Sequence, residues 1–278
     1  MHRMQSLVCV LLILIAGAVQ GGEWPYYAAD AKSSKYAPLS QIDGTNFVRL
    51  QEVWRYMPPD KEIAEREDMW TDRNSGTPLM VDGVLYYGSP FNILCAVDPT
   101  SGKELWTFDP KSWEDYEGFT GTSRGIAYWE SGDKKRIFYG TSSDRLYSID
   151  IETGQPDLKF GEDGFIDLGK GLRRRIDHSR YAVTSPPVVC RDVVVVGSGI
   201  TDWHDRPPAK YSTPGSVRGF DAHTGEQVWV FQTVPQEGEY GNDTWENDAY
   251  QTYGQANVWS AMSADDELGY VYLPVSST

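Results

Sequence analysis

Cysteine is scarce in this chain. There are three in 278 residues, and Cys9 sits in an apolar leader. Cys95 and Cys190 lie in strand-like contexts (NILCAVD and PPVVCRDVVVV), where a buried, inert thiol is the default reading over a disulfide. No C-x-x-C-H run occurs, which excludes covalently attached c-type haem. Basic residues are few as well: 25 Lys and Arg face 40 Asp and Glu, a formal net charge of −15. That balance argues against nucleic acid and against anionic lipid as partners. No long apolar run follows the leader, so no transmembrane segment is expected beyond it. Helical periodicity is not evident past the leader either.

The leader is itself a distinct polymer. His2 and Arg3 precede an apolar run over residues 7–19, then small residues and Gly21-Gly22. The run is too short to span a bilayer and reads as a secretory signal peptide over residues 1–21, cleaved after Ala18 or Gly21. Val8 before Cys9 does not suit a lipoprotein acceptor. The expected mature chain, residues 22–278, is exported, which places it in the periplasm.

What the chain has in quantity is aromatic side chains (10 Trp, 17 Tyr) and one stretch written three times. Residues 94–110 read LCAVDPTSGKELWTFDP, residues 146–160 LYSIDIETGQPDLKF, and residues 217–231 VRGFDAHTGEQVWVF. Each copy runs an alternating apolar strand into a D-x-x-S/T-G turn. Asp98, Asp150 and Asp221 cap the backbone there, and Gly102, Gly154 and Gly225 supply a positive φ. Four positions on stands Trp106, Leu158 or Trp229, the large side chain of a departing strand. Such hairpins bury a face only by stacking on one another. The Asp-to-Asp intervals of 52 and 71 residues suit β-propeller blades, the second with an insertion. The fold expected is all-β, a propeller.

Further blade material surrounds the repeats. Residues 23–56 are an aromatic lead-in ending in a strand with Trp54. Residues 77–97 form a hairpin turning at Asp82-Gly83, followed by a third strand. Residues 124–150 repeat that plan, and residues 183–199 give a strand pair turning at Arg191-Asp192. A polar connection spans residues 161–180, with Arg173, Arg174 and Arg175 expected in a solvated loop. Residues 201–216 form a Pro-rich insertion, residues 233–257 a polar loop, and residues 258–275 open another blade. About four blades are present, without a segment that closes the ring.

These stretches resemble the pyrroloquinoline-quinone (PQQ)-dependent alcohol and sugar dehydrogenases. The likeness runs from Glu23 to Thr278, through EWPYYAADAKSSKYAPLSQI, TPLMVDGVLYYGSPFN, RGIAYW, TWENDAYQ, GQANVW and the three repeats in family order. It implies an eight-bladed propeller of about twice this length, of which this is an N-terminal portion. It also implies the cofactors PQQ and Ca²⁺, an alcohol or sugar substrate, and a respiratory acceptor, cytochrome c or ubiquinone.

Carried over by position, Arg124 (SRGIAYW) would pair a quinone carboxylate, a task suited to a guanidinium. Trp259 (NVWSAM) would be the platform under the flat quinone. Thr141 (YGTSSDRL) would place a hydroxyl nearby, and Gly199, Ile200 and Thr201 would line the pocket. Asp202 (GSGITDW) would give calcium a carboxylate, and the ion would polarise the quinone carbonyl. Trp203 departs from the Asn that sugar-oxidising members commonly place after this Asp.

Other departures leave the substrate open. Gly118-Phe119 stand where alcohol-oxidising members have adjacent cysteines, Thr120 where glucose-oxidising members tend to have His, and Ser75 where the family has a glutamate. The family's catalytic base lies C-terminal to these blades, so no catalytic residue is assigned. His178, His204 and His223 show no Ser or Asp partner pattern, and the carboxylates Asp243, Glu246 and Asp248 around Trp245 read as a solvated loop. The alternative function is a non-catalytic propeller scaffold of the outer-membrane assembly type, which shares the repeats but has no need of Arg124, Asp202 and Trp259 in this order.

Overall fold

The computed structural model describes residues 22–278 apart from 71–73, 115–122, 175–177, 179–180, 201–211, 214 and 278. The leader, Gly118, Phe119, Thr120, Arg175, Thr201, Asp202, Trp203 and His204 thus lie outside the described residues.

Alternating sequence and two-residue turns produce antiparallel sheets. The first sheet runs β1 (Leu79–Val81), β2 (Val84–Gly88), β3 (Leu94–Val97) and β4 (Glu104–Phe108), paired in that order. Its first turn is Asp82-Gly83 with φ of 51° and 76°, the doubly positive pair that a tight twisted hairpin needs. The second sheet is β5 (Ala127–Ser131), β6 (Lys134–Gly140), β7 (Arg145–Asp150) and β8 (Phe165–Asp167). A short two-stranded sheet follows, β9 (Tyr181–Ala182) with β12 (Gly199–Ile200). Between and after them lie β10 (Val188–Cys190), β11 (Val193–Val196), β13 (Val217–Asp221) and β14 (Gln227–Phe231), the third four-stranded sheet. β15 (Ser263–Asp265) and β16 (Tyr270–Tyr272) form a further two-stranded sheet. The result is three complete blades and the opening of a fourth.

The blades pack face to face in chain order. Along β6, Ile137 and Tyr139 face the first sheet, against Leu79, Tyr86 and Leu94. Phe138, between them, points the other way, toward Val183, Val194 and Phe220. This period of two on a strand buried on both faces is what stacking blades require. Val195, Val217, Val258, Met262 and Ala264 make the next interface. Each fully buried side chain of this size contributes about 1.5–3 kcal/mol. Cys95 and Cys190 are both free and buried, as their contexts suggest; burial pushes the Cys95 thiol up to about 12.

All three repeat turns have one construction. Asp98 Oδ1 accepts from the Thr100 and Ser101 amides, and Asp150 and Asp221 do the same in their copies. The Gly amide then donates to the Asp carbonyl at 2.8, 2.9 and 2.8 Å. The Gly also receives the preceding blade. The Trp106 indole lies where a Gly154 Cβ would be 2.6 Å away, and its Nε1–H donates to Ile151 O at 3.0 Å. Trp54 treats Gly102 and Pro99 O identically, at 2.7 and 2.9 Å.

Four expectations require correction. Trp54 belongs to no strand; it is extra-sheet chain docked on the first blade. The second repeat forms no strand through Leu158, which is 71% exposed, because the chain loops out and returns as β8. A helix, α1 (Asp60–Glu67), exists where no periodicity signalled one. Eight residues are too few for a repeat to register; α1 follows Pro59, carries Asp60 and Glu62 in its first turn, and ends at Asp68 with φ of 52°. Finally, Arg173 and Arg174 are not merely solvated: Arg173 pairs with Glu239, and Arg174 Nη1 donates to Ser212 O at 2.8 Å.

Candidate active site

The first strands of successive blades neighbour one another, β5 against β10 and β10 against β15. The residues just before these strands therefore converge at one end of a common axis. Thr77 precedes β1, Arg124 precedes β5, Thr184 and Ser185 precede β10, and Trp259 precedes β15. Their backbones interlock. Thr77 N–H donates to Arg124 O at 3.0 Å, and Arg124 N–H donates to Thr184 O at 3.1 Å.

Arg124 and Trp259, 135 residues apart in sequence, meet here. Arg124 Nη1 donates to Trp259 O at 3.1 Å and to Thr184 O at 3.2 Å, and its Cζ lies 4.9 Å from the indole centroid. Trp259 is 46% exposed, whereas its neighbours Asn257 and Val258 are buried. An indole left half open beside buried neighbours is a platform rather than core packing. Burial lowers the Arg124 pKa, yet a guanidinium stays charged at neutral pH. Among the described residues no carboxylate pairs with it. The two carbonyls fix the plane of the fork and leave Nε and Nη2 for another acceptor.

The walls are polar and close-packed. Asn257 Nδ2 donates to Ser198 O at 2.7 Å, and Ser276 Oγ donates to the Asn257 carboxamide oxygen at 2.8 Å. A Cβ on Gly197 would stand 2.2 Å from Val258 O, and one on Gly199 2.8 Å from Thr184 Oγ1, so only glycine permits this approach. Gly199 and Ile200 are buried in β12, Gly199 closing on Thr184 and Ile200 packing into the core with Val183 and Phe220. Thr141 is fully buried; its hydroxyl contacts Ser143 Oγ at 3.1 Å and Arg145 O at 3.3 Å, and its carbonyl accepts from Val183 N–H. It supports the wall, with its hydroxyl already engaged.

Two hydroxyls on these segments, Ser185 Oγ and Ser198 Oγ, are buried with no hydrogen-bond partner among the described residues. Buried polar atoms are normally paired, so two orphan hydroxyls, one on the residue following Thr184 and one on the residue whose carbonyl holds Asn257, offer donors to a polar ligand. An anionic planar group fits this donor set. For a metal, no group of three His, Cys, Asp or Glu gathers among the described residues.

Thr184, Ser185, Ser198 and Asn257 were not singled out from sequence. One signal was present: Thr-Pro at residues 77–78 and Thr-Ser-Pro at 184–186 recur just ahead of a first strand. A second omission is His178, whose Nδ1 lies 2.7 Å from Asp144 Oδ2. The carboxylates Asp243, Glu246 and Asp248, by contrast, are solvent-facing on a loop of 3₁₀ turns, as expected.

The comparisons with known proteins bear on this geometry. A family model described as "PQQ: Glucose/ethanol/alcohol dehydrogenase, beta-propeller domain" matches residues 24–278. The chain belongs to this PQQ β-propeller family. Among curated members, it is 30% identical over 266 residues to the glycerol dehydrogenase large subunit of Gluconobacter oxydans (strain 621H), covering 92% of this chain and 34% of that protein. It is 28% identical to the quinoprotein glucose dehydrogenase of Escherichia coli (strain K12), covering 92% and 32% respectively. The solved structure of quinohemoprotein alcohol dehydrogenase ADHIIG from Pseudomonas putida HK5 superposes with a TM-score of 0.69 at 28% identity, covering 91% of this chain and 34% of that one. The chain thus spans about a third of the length of these family members.

Proposed function

We propose that the whole protein is an exported, PQQ- and calcium-dependent oxidoreductase that oxidises an alcohol or a sugar and passes electrons to cytochrome c or ubiquinone. The observation that carries this reading is the meeting of Arg124 with the half-open face of Trp259, beside the orphaned hydroxyls of Ser185 and Ser198. When bound, the quinone would supply the redox chemistry, taking two electrons from the substrate carbon as a hydride.

The residues present suit that group. Arg124 offers a rigid fork to a carboxylate, and Trp259 offers the largest aromatic face available to a fused ring. The guanidinium lies over the indole, so Arg124 and Trp259 would meet the same planar, anionic ring. Ser185 and Ser198 would give hydroxyls to polar edges, and the Asn257–Ser276 contact steadies the extended segment entering Trp259. Asp202 is the residue proposed to hold calcium, a hard cation that prefers oxygen ligands. Periplasmic residence follows the leader at residues 1–21. No helix among the described residues is long and apolar enough to cross a membrane.

The test is dye-linked oxidation by the whole protein across a panel of alcohols and sugars, with PQQ and Ca²⁺ supplied or withheld. Turnover that requires both, and falls on Asp202→Ala while excess Ca²⁺ restores part of it, supports the reading. A protein inert on every substrate with both cofactors present contradicts it.

A further inference from the structure

The turn joining β6 to β7 holds two residues that point to different tasks. Thr141 begins it and, through its carbonyl, accepts the Val183 amide at 3.4 Å. Asp144 ends it in a left-handed conformation, φ 58°, and is 2% exposed. Asp144 O accepts from Leu168 N–H at 2.7 Å, Oδ2 meets His178 Nδ1 at 2.7 Å, and Oδ1 is buried without a partner among the described residues. His178 lies just ahead of β9, the strand that continues into Val183, Thr184 and Ser185. One side-chain contact therefore ties the 141–144 turn to the segment whose Thr184 carbonyl anchors Arg124.

We propose that Asp144 and His178 are a positioning pair for the site, holding those two walls in register so that quinone affinity depends on whether Asp144 is ionised. The proposal rests on the quinone reading given above. Burial pushes the Asp144 carboxyl up to about 7, against the opposing hydrogen bond and charge of His178. The other groups facing it are Asp167 on β8, which raises it further, and Arg145 on β7, which lowers it. Tyr181 on β9 is buried nearby, its hydroxyl accepting from Arg218 of β13 at 3.3 Å. His178 is 64% exposed at its side chain, so solvent protons reach the pair from that side. Because burial outweighs the His178 contact, the docked environment favours the protonated carboxyl, and the pair is most stable in acid. The walls loosen as pH rises through about 7 and Asp144 ionises, and affinity for the quinone falls with them.

The experiment titrates the whole protein with PQQ at fixed Ca²⁺ between pH 5.5 and 8.5, for wild type, Asp144→Asn, His178→Ala and His178→Gln. Wild-type affinity falls about fivefold toward alkali with its inflection near 7, because ionising the buried carboxyl weakens the docked pair. Asp144→Asn gives a flat profile, and His178→Gln, which keeps a donor, retains more affinity than His178→Ala. Identical pH profiles for wild type and Asp144→Asn overturn the proposal. Carbon NMR of the quinone-free protein separates the two readings. The carboxyl resonance of Asp144, assigned by its loss in Asp144→Asn, shifts near pH 7, and its inflection moves upward in His178→Ala, which removes the contact that lowers it. An Asp144 inflection unchanged in His178→Ala refutes the pair itself. Failure to bind PQQ at any pH, with the NMR coupling intact, refutes the quinone reading and the link to affinity.

Discussion

Arg124 is held by two carbonyls on one side and an indole beneath, with its remaining donors unclaimed among the described residues. Arg124→Ala should therefore cost ligand binding far more than folding. A hydrogen-bonded charge pair is worth about 1.5–3 kcal/mol, so PQQ affinity should fall roughly ten- to 150-fold. Arg124→Lys should recover only part, because an ammonium lacks the planar fork. Equilibrium titration with PQQ, alongside urea unfolding, separates the two effects. At Asp144 the expected consequence is for stability. A carboxyl raised from 3.8 to about 7 holds a proton in the folded chain that the unfolded chain releases between those values. Its stabilising effect is present in full at low pH and is lost as pH climbs to 7. Relative to Asp144→Asn, wild type should lose about 1–3 kcal/mol between pH 4.5 and 7.5, measured by urea midpoints, and a constant difference would count against it. Arg124 and Trp259 were legible in sequence because distinctive neighbours, SRGIAYW and NVWSAM, flag them. Asp144 and His178 were not, since a contact across 34 residues between two loops leaves no local pattern.

At the level of elements, the repeat turns were readable in detail, down to which oxygen caps the chain. Asp, Ser or Thr, and Gly at fixed offsets act on their own backbone, and local chemistry survives in sequence. What the repeat did not reveal is the partner of each Gly. Gly83 and Gly154 both have positive φ, yet a Cβ on Gly83 meets open space while one on Gly154 collides with Trp106. Both Ala variants carry backbone strain of about 1 kcal/mol. Gly154→Ala should add a further 1–3 kcal/mol, roughly, from overpacking. Chemical denaturation should rank Gly154→Ala well below Gly83→Ala in stability. Equal losses would mean that the Trp docking contributes nothing. Outer strands were the least legible elements. The exposed burial pattern of β14 and the loop through Leu158 show why: a blade's outer edge carries little of the core alternation that identifies inner strands.

Across the whole molecule, the sequence pattern and the structure agree on stacked antiparallel blades, and the family match spans nearly all of residues 22–278. Two surfaces remain apolar. β16 presents Tyr270 and Tyr272, the lead-in presents Val48 and Val53, and Trp70 stands out beyond α1, all exposed. Unpaired strand edges and apolar patches of this kind associate. Residues 22–278 produced alone should therefore form oligomers or aggregates in light scattering, and a stable monomer would contradict that expectation. The most direct test of the central claim is the binding of PQQ and Ca²⁺ to the whole protein, followed through quinone absorbance and repeated with Arg124→Ala and Trp259→Ala. Saturable binding that either substitution weakens at least about tenfold is the predicted result. Absence of binding, or binding indifferent to both residues, would show that the convergence of Arg124 and Trp259 at the propeller axis is not a quinone site.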